Sequence, residues 1–393
     1  MTTNYRADHV LARADAFQPG DIGRLNEILD GAGLGRPLGE PASGPAPLIR
    51  IPVKDKTDPL DIEAAMRAAR PAGQDGPAVF ADRQSSAGTL LPGIFFTAAG
   101  KKSGHGMGWV PAPGDELPDA PPWNATAPHP VIAVLDSGVL PHRYLHTDGN
   151  PPFLLDADGM TDWHPPVGAA SPAHPPFPPG THWGHGTFIA GLIRRAAPNA
   201  QVLSMRVMNS KGIVDDSAAV YALNWLRTAA VRPKIVLMAF GRQASPDDPT
   251  LDDLRCAVRA LTEQDVTVVA SAGNNGSDQP VYPAAFTSEF GSRVVSVGAI
   301  ATRETRAIYS NYGPWVTAGW LGTDIVSINP QTIRHAGDHQ LTPFALDNPV
   351  DPVAADSLAW WTGTSFAAAI AAGHLANRQA AGVAPMPEKV QQP

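Results

Sequence analysis

Val131-Ile132-Ala133-Val134-Leu135-Asp136-Ser137-Gly138 decides the fold. Five apolar residues in a row cannot alternate between a wet and a dry face, so the run reads as a strand buried on both sides, as in a parallel sheet covered by helices. Similar runs return at Gln201-Val202-Leu203-Ser204-Met205-Arg206-Val207-Met208, Lys234-Ile235-Val236-Leu237-Met238-Ala239-Phe240-Gly241, Val266-Thr267-Val268-Val269-Ala270-Ser271 and Val294-Val295-Ser296-Val297-Gly298-Ala299, with helical patterns near 215–230 and 250–264 between them. Apolar strands separated by helices of this length demand a parallel sheet with helices on both faces. The fold class is therefore α/β, a three-layer doubly wound sheet.

The deciding strand ends on an acid, and the carboxyl edge of such a sheet is where α/β enzymes keep their chemistry. Taken alone, Asp136 before Ser-Gly reads equally well as a turn residue. Downstream, Trp183-Gly184-His185-Gly186-Thr187-Phe188-Ile189-Ala190-Gly191 sets a histidine between glycines at the mouth of a small-residue helix. The glycines let the backbone pass close to a neighbour and so fix where the imidazole points. Near the end, Gly363-Thr364-Ser365-Phe366-Ala367-Ala368-Ala369-Ile370-Ala371-Ala372-Gly373 opens a run too uniformly apolar for a surface helix, with Ser365 at its start. Unsatisfied N–H groups there carry partial positive charge, which suits an oxygen becoming anionic beside Ser365. Read in isolation, Ser365 is also an acceptable N-cap.

With 393 residues, 43% of them hydrophobic and 17% charged, the chain is long enough for one large core and a smaller unit. A net charge of -8 and no basic run longer than a pair argue against nucleic acid or an anionic membrane as partner. The single cysteine, Cys256, excludes an intrachain disulfide framework and reads as a core thiol within Leu251, Leu254, Val258 and Leu261. The start of the chain has no apolar signal-like region and no run of about 18 apolar residues occurs, so the expectation is a cytoplasmic protein.

The first third has a different character. Helical patterns at 20–31 and 58–70 and apolar strands at 48–53, 78–81 and 93–97 predict a small α+β domain over 1–110 without a catalytic constellation. Residues 111–130 read as a Pro/Gly-rich linker, 131–393 as the catalytic domain, and 141–184 as loop. Within that loop, Asp156-Ala157-Asp158-Gly159-Met160-Thr161-Asp162 alternates carboxylates as hard-cation loops do, but lacks the bidentate Glu that closes an EF-hand-type loop, and reads as a solvated turn.

Val134-Leu135-Asp136-Ser137-Gly138, His185-Gly186-Thr187-Phe188-Ile189-Ala190-Gly191, Ala272-Gly273-Asn274-Asn275-Gly276 and Gly363-Thr364-Ser365-Phe366-Ala367, in this order, resemble the subtilisin-like serine peptidases. The resemblance covers about 130–380. It implies a serine endopeptidase without cofactor or metal, in which Ser365 is the nucleophile, His185 its base, Asp136 the group orienting the imidazole, and Asn274 an oxyanion donor. It further implies an extended peptide or protein substrate pairing with Ala239-Phe240-Gly241, with Ser271-Ala272-Gly273 lining the pocket before the scissile bond. The N-terminal domain resembles the family's prodomain only in size and position; as a unit that docks on the cleft it would inhibit or assist folding, and a permanent partner-docking role stays open. Phe188 replaces a usual histidine, Ala369 a usual proline, the connection from Arg194 to Val202 is too short for the family's calcium loop, and little chain follows Ser365. A maturation protease dedicated to one partner and a peptide-binding pseudopeptidase are the alternatives.

Overall fold

A computed structural model describes residues 5–13, 17, 20–41, 48–69, 79–86, 110–116, 118–139, 142–147, 151–156, 182, 184–209, 212–301, 305–328 and 357–382. The chain opens with β1 (Tyr5–Arg13), α1 (Asp21–Gly31), β2 (Leu48–Pro52), α2 (Pro59–Ala68), β3 (Val79–Ser86) and β4 (Val110–Glu116). Then come β5 (Val131–Asp136), β6 (Leu154–Asp156), α3 (His185–Ala196), β7 (Gln201–Arg206), β8 (Ile213–Asp215), α4 (Asp216–Thr228), β9 (Ile235–Met238), β10 (Arg242–Gln243) and α5 (Asp252–Thr262). The remainder comprises β11 (Thr267–Ser271), β12 (Val281–Tyr282), α6 (Thr287–Phe290), β13 (Val294–Ile300), β14 (Ala318–Leu321), β15 (Ile325–Ile328), β16 (Ser357–Trp361) and α7 (Thr364–Ala380).

Seven strands form one sheet in the order β14-β13-β11-β9-β5-β7-β6, every neighbouring pair parallel. The two-residue period of a strand sends Ile132 and Val134 into a core shared with α3 and α7, while Ala133 and Leu135 enter the core under α4 and α5. That division is the three-layer α/β arrangement expected from the continuous apolar runs.

The N-terminal elements do not form a sheet of their own alone. The order β2-β1-β3-β8 includes a strand of the larger unit, with Gln84, Ser85 and Ser86 antiparallel to Asp215, Val214 and Ile213. One face of this sheet (Val10, Ala12, Ile51, Val79) packs with Leu25, Leu29, Ile62 and Met66 of α1 and α2, and the other face places Leu11 and Leu48 in the core of α4 and α5. The polar seam is equally specific. Asp215 precedes α4 but does not cap it; its carboxylate takes both 3.0 Å bonds from the Arg6 Nε and one from Gln84. Burial pushes Asp215 up, yet Arg6, Gln84 and Arg50 together hold it below its ordinary value. The cap comes from across the seam instead, since Asp82 of β3 accepts from the Ser217 N–H at 3.3 Å and hydroxyl at 2.7 Å, and also meets His9 Nε2 at 2.9 Å.

Several expectations are corrected. Residues 111–130 are more than a linker: β4 begins at Val110 and pairs antiparallel with β16. Beyond it the chain is locked to α3 by Arg194, which donates to Pro121 O at 2.6 Å and to Pro198 O, and stands over the Trp123 and Phe153 rings at 5.5 Å. Proline content conceals both features, because an antiparallel edge strand tolerates prolines that a central one does not. The loop 141–184 contains β6, too short at three residues to show a pattern. Cys256 is exposed, since the buried stripe of α5 runs through Leu254, Ala257, Val258 and Leu261 and leaves position 256 on the far side. The strand expected at 93–97 lies outside the described residues. No helix among those residues is long and apolar enough to cross a membrane.

Asp82→Ala strips α4 of its cap and leaves Arg50 and His9 facing a buried gap, so a loss of about 3–5 kcal/mol is expected, read as a fall in the urea unfolding midpoint. Asp82→Asn, which keeps an acceptor for Ser217, should lose clearly less.

Candidate active site

Asp136 ends β5 and His185 begins α3, and the two are joined where strand end and helix start meet. Both carboxylate oxygens of Asp136 lie 2.9 Å from His185 Nδ1, while Oδ1 also accepts the Ser137 N–H at 2.7 Å. This pair is buried, with His185 2% and Asp136 1% exposed. The approach requires Gly186: its N–H donates to Ser137 Oγ at 3.0 Å, and a Cβ there would drive into the carbonyl oxygen of Gly138.

Ser365 sits in the first turn of α7, 1% exposed, and its hydroxyl donates to Ala239 O at 3.0 Å. Among the described residues it makes no hydrogen bond to His185 in this state, although the neighbouring Phe366 ring centroid is 5.3 Å from that of His185. Such bonds commonly tighten only when substrate arrives. Phe188, at the position of the usual second histidine, packs against Phe366 at 4.8 Å and Trp361 at 5.5 Å, so it contributes an aromatic wall behind the imidazole. Ala369 is buried inside an uninterrupted helix from Thr364 to Ala380.

Asn274 follows β11. Its Oδ1 accepts from Thr364 N at 2.9 Å and from Thr364 Oγ1 at 2.8 Å, which fixes the rotation of the amide and leaves Nδ2 beside Gly363, at the mouth of α7. The last rung between β9 and β11 pairs Met238 with Ala270. Beyond it Ala239-Phe240-Gly241 and Ser271-Ala272-Gly273 follow at the carboxyl end of the sheet, with Ala239, Phe240, Ser271 and Ala272 buried, and both segments meet the start of α7: Ala239 O accepts the Ser365 hydroxyl and the Gly273 N–H donates to Thr364 Oγ1 at 3.2 Å. All the residues singled out for chemistry thus converge on one place. Asp156 ends β6, and Asp158 and Asp162 lie outside the described residues, among which no cluster suited to a metal ion occurs.

Sequence reasoning passed over His182, which touches the rings of His185 (5.5 Å) and Trp361 (6.0 Å) and lies against the backbone of Gly212, next to β8. A histidine among loop residues carries no periodic signal that could have marked it. Burial, reinforced by the charge of His185 and only partly offset by Asp136, pulls His182 from its ordinary 6.5 to about 3.

The model of the Subtilase family, peptidase family S8, matches residues 128–392. Minor extracellular protease Epr of Bacillus subtilis (strain 168) is 30% identical over 226 residues, which are 54% of this chain and 30% of that protein. Thermophilic serine proteinase of Bacillus sp. (strain AK1) is 29% identical over 210 residues, 50% of this chain and 44% of that one, so the chain spans less than half the length of either relative. Among solved structures, a cold adapted subtilisin-like serine proteinase is 22% identical, covering 65% of this chain and 78% of its own at a TM-score of 0.45.

Between its folded value of about 3 and the ordinary 6.5, His182 binds a proton only in the unfolded chain, so stability falls as pH falls through that window. Replacing it by asparagine, His182→Asn, should flatten the stability-against-pH slope between those values by up to one proton, about 1.4 kcal/mol per pH unit. Urea midpoints of both proteins at several pH values measure it.

Proposed function

Because the chain belongs to the subtilase family, we propose that it is a serine endopeptidase acting on extended polypeptide segments. The observation that carries this reading is the convergence of the buried Asp136–His185 pair, the hydroxyl of Ser365 at a helix start and an Asn274 amide turned toward the same helix mouth.

In this reading the Ser365 hydroxyl rotates from Ala239 O toward the imidazole and attacks the substrate carbonyl carbon while His185 Nε2 takes its proton. Asp136, held by Nδ1 and by the Ser137 N–H, keeps the tautomer with Nε2 free and stabilises the imidazolium. The oxyanion forms between Asn274 Nδ2 and the Ser365 N–H at the positive end of α7. The imidazolium then gives its proton to the leaving amine, and water deprotonated by the same base hydrolyses the acyl-enzyme. On this reading the substrate backbone lies along Ala239-Phe240-Gly241 and Ser271-Ala272-Gly273, the two segments that meet the start of α7 through Ala239 O and the Gly273 N–H.

A fluorophosphonate should label the wild-type protein once, at Ser365, while Ser365→Ala neither labels nor cleaves a peptide anilide yet keeps its unfolding midpoint. Turnover persisting in that variant would remove Ser365 from the mechanism.

A second reading concerns residues 1–86, and a specific pairing favours it. β3 ends at Ser86 on β8, whose neighbour Gly212 touches His182, and β4 begins at Val110 opposite Trp360, next to Trp361. Both ends of the connection 87–109 therefore border the site. On this reading the unit restrains the enzyme until the connection is cut and the unit dissociates; covalent attachment gives it a high effective concentration, so modest affinity suffices. Arg6→Glu sets like charges against Asp215 and loosens the seam. Turnover of a small peptide should rise several-fold in this variant; unchanged turnover with normal folding would favour a docking role for the unit.

A further inference from the structure

We propose that Asn311 is a positioning residue that holds the oxyanion donor Asn274 in place; this rests on the oxyanion role proposed for Asn274. Asn311 lies in Tyr309-Ser310-Asn311-Tyr312-Gly313, between β13 and β14, and is 1% exposed. Its side chain and backbone grip the loop 272–277 on both sides of Asn274. Nδ2 donates to Ala272 O at 2.9 Å, and the Asn311 N–H donates to Gly273 O at 3.0 Å. On the other side, Oδ1 accepts the N–H groups of Asn275 and Ser277, both at 3.0 Å. Gly273 has φ +98°, and Asn311 Nδ2 stands 2.5 Å from where a Cβ on it would be, so the loop is drawn tightly onto the amide.

The grip is anchored in turn. Ser310 Oγ accepts the Ala299 N–H of β13 at 2.9 Å and donates to Asn311 O at 3.0 Å, which fastens the clasp to the central sheet. Two backbone bonds, Gly276 N to Tyr309 O at 2.7 Å and Tyr312 N to Ser277 O at 3.0 Å, hold the same two segments side by side without the Asn311 side chain. They give a reason to expect the loop to stay folded when that side chain is cut back.

The division of labour is geometric. Thr364 sets the rotation of the Asn274 amide and takes the Gly273 N–H on its Oγ1 at 3.2 Å, so from α7 it ties the loop at one point, on one side of Asn274 only. Asn311 holds that backbone, because any shift of Asn274 along the loop stretches contacts at 272 and 273 or at 275 and 277. A donor is useful only at about 2.7–3.1 Å from the developing oxyanion, and a loop-borne donor needs its surroundings to keep it within about 0.5 Å of that place. Asn311 bonds to the loop on either side of Asn274, so its effect on the oxyanion passes through the placement of Asn274, whereas an effect passing through Ala272 and Gly273 to the substrate would appear in KM.

The test is a double-mutant cycle on the full chain with a peptide anilide, active sites being counted by fluorophosphonate so that only folded molecules enter kcat. In subtilisin itself the loss of the same donor costs about 10²–10³ in kcat, so Asn274→Ala is expected in that range and Asn311→Ala at about 10–100-fold, with KM changed less than about threefold. In the Asn274→Ala background, Asn311→Ala should cost less than about threefold more, because the donor it places is already gone. An equal loss in both backgrounds, or a change confined to KM, overturns the inference and leaves Asn274 its role. Unchanged kcat in Asn274→Ala alone overturns the oxyanion reading first. Should Asn311→Ala yield no countable sites, Asn311→Asp serves in the same cycle, since it keeps the acceptor for Asn275 and Ser277 and loses the donor to Ala272.

Discussion

The site depends on how closely α3 and α7 approach. His185 and Ser365 each lie in the first turn of a helix, so the distance between two helix starts decides whether imidazole and hydroxyl can work together. Small side chains set that distance. Ala367, Ala368, Ala371, Ala372 and Ala376 are buried on α7, and a Cβ on Gly373 would stand 2.7 Å from that of Ala196. Asn377 then ties the far end, its amide donating to Ala196 O at 2.7 Å. Larger residues along this contact would splay the helices and carry the two groups apart, even though none of these positions touches a substrate.

Much of this was legible in the sequence because it rests on local chemistry. A run such as Val131–Leu135 allows one kind of strand, and the small-residue runs after His185 and Ser365 allow only buried helices. What stayed hidden depends on partners distant in the chain. β6 has three residues, β4 is masked by proline, and Asn311 sits in a segment without periodicity whose value lies in meeting a loop some forty positions earlier. Cys256 differs for a simpler reason: its apolar neighbours in the sequence suggest the buried face, but the 100° step of the helix puts it outside.

The seam between the N-terminal sheet and α4 follows a different logic from the hydrophobic cores. Its members are ionisable side chains set against one another, as in the partly buried Arg6 with Asp215, Arg242 with Asp216, and His9 with Asp82. Such groups contribute little net stability compared with apolar residues of the same volume, but they tolerate one register only. A strand that slipped by a residue on β8 would leave several buried charges without partners, so the seam specifies how the two parts fit more strongly than it glues them.

The two ladders at β8 and β16 also change what a break in the chain would mean. A cut anywhere between Ser86 and Val110 leaves each fragment held by its own antiparallel pairing, and the downstream piece keeps Trp123 under the Arg194 guanidinium. The result is a noncovalent heterodimer that would run as one species on a sizing column and as two on a denaturing gel. Its persistence would be governed by a dissociation constant and by dilution, where the intact chain is governed by folding alone.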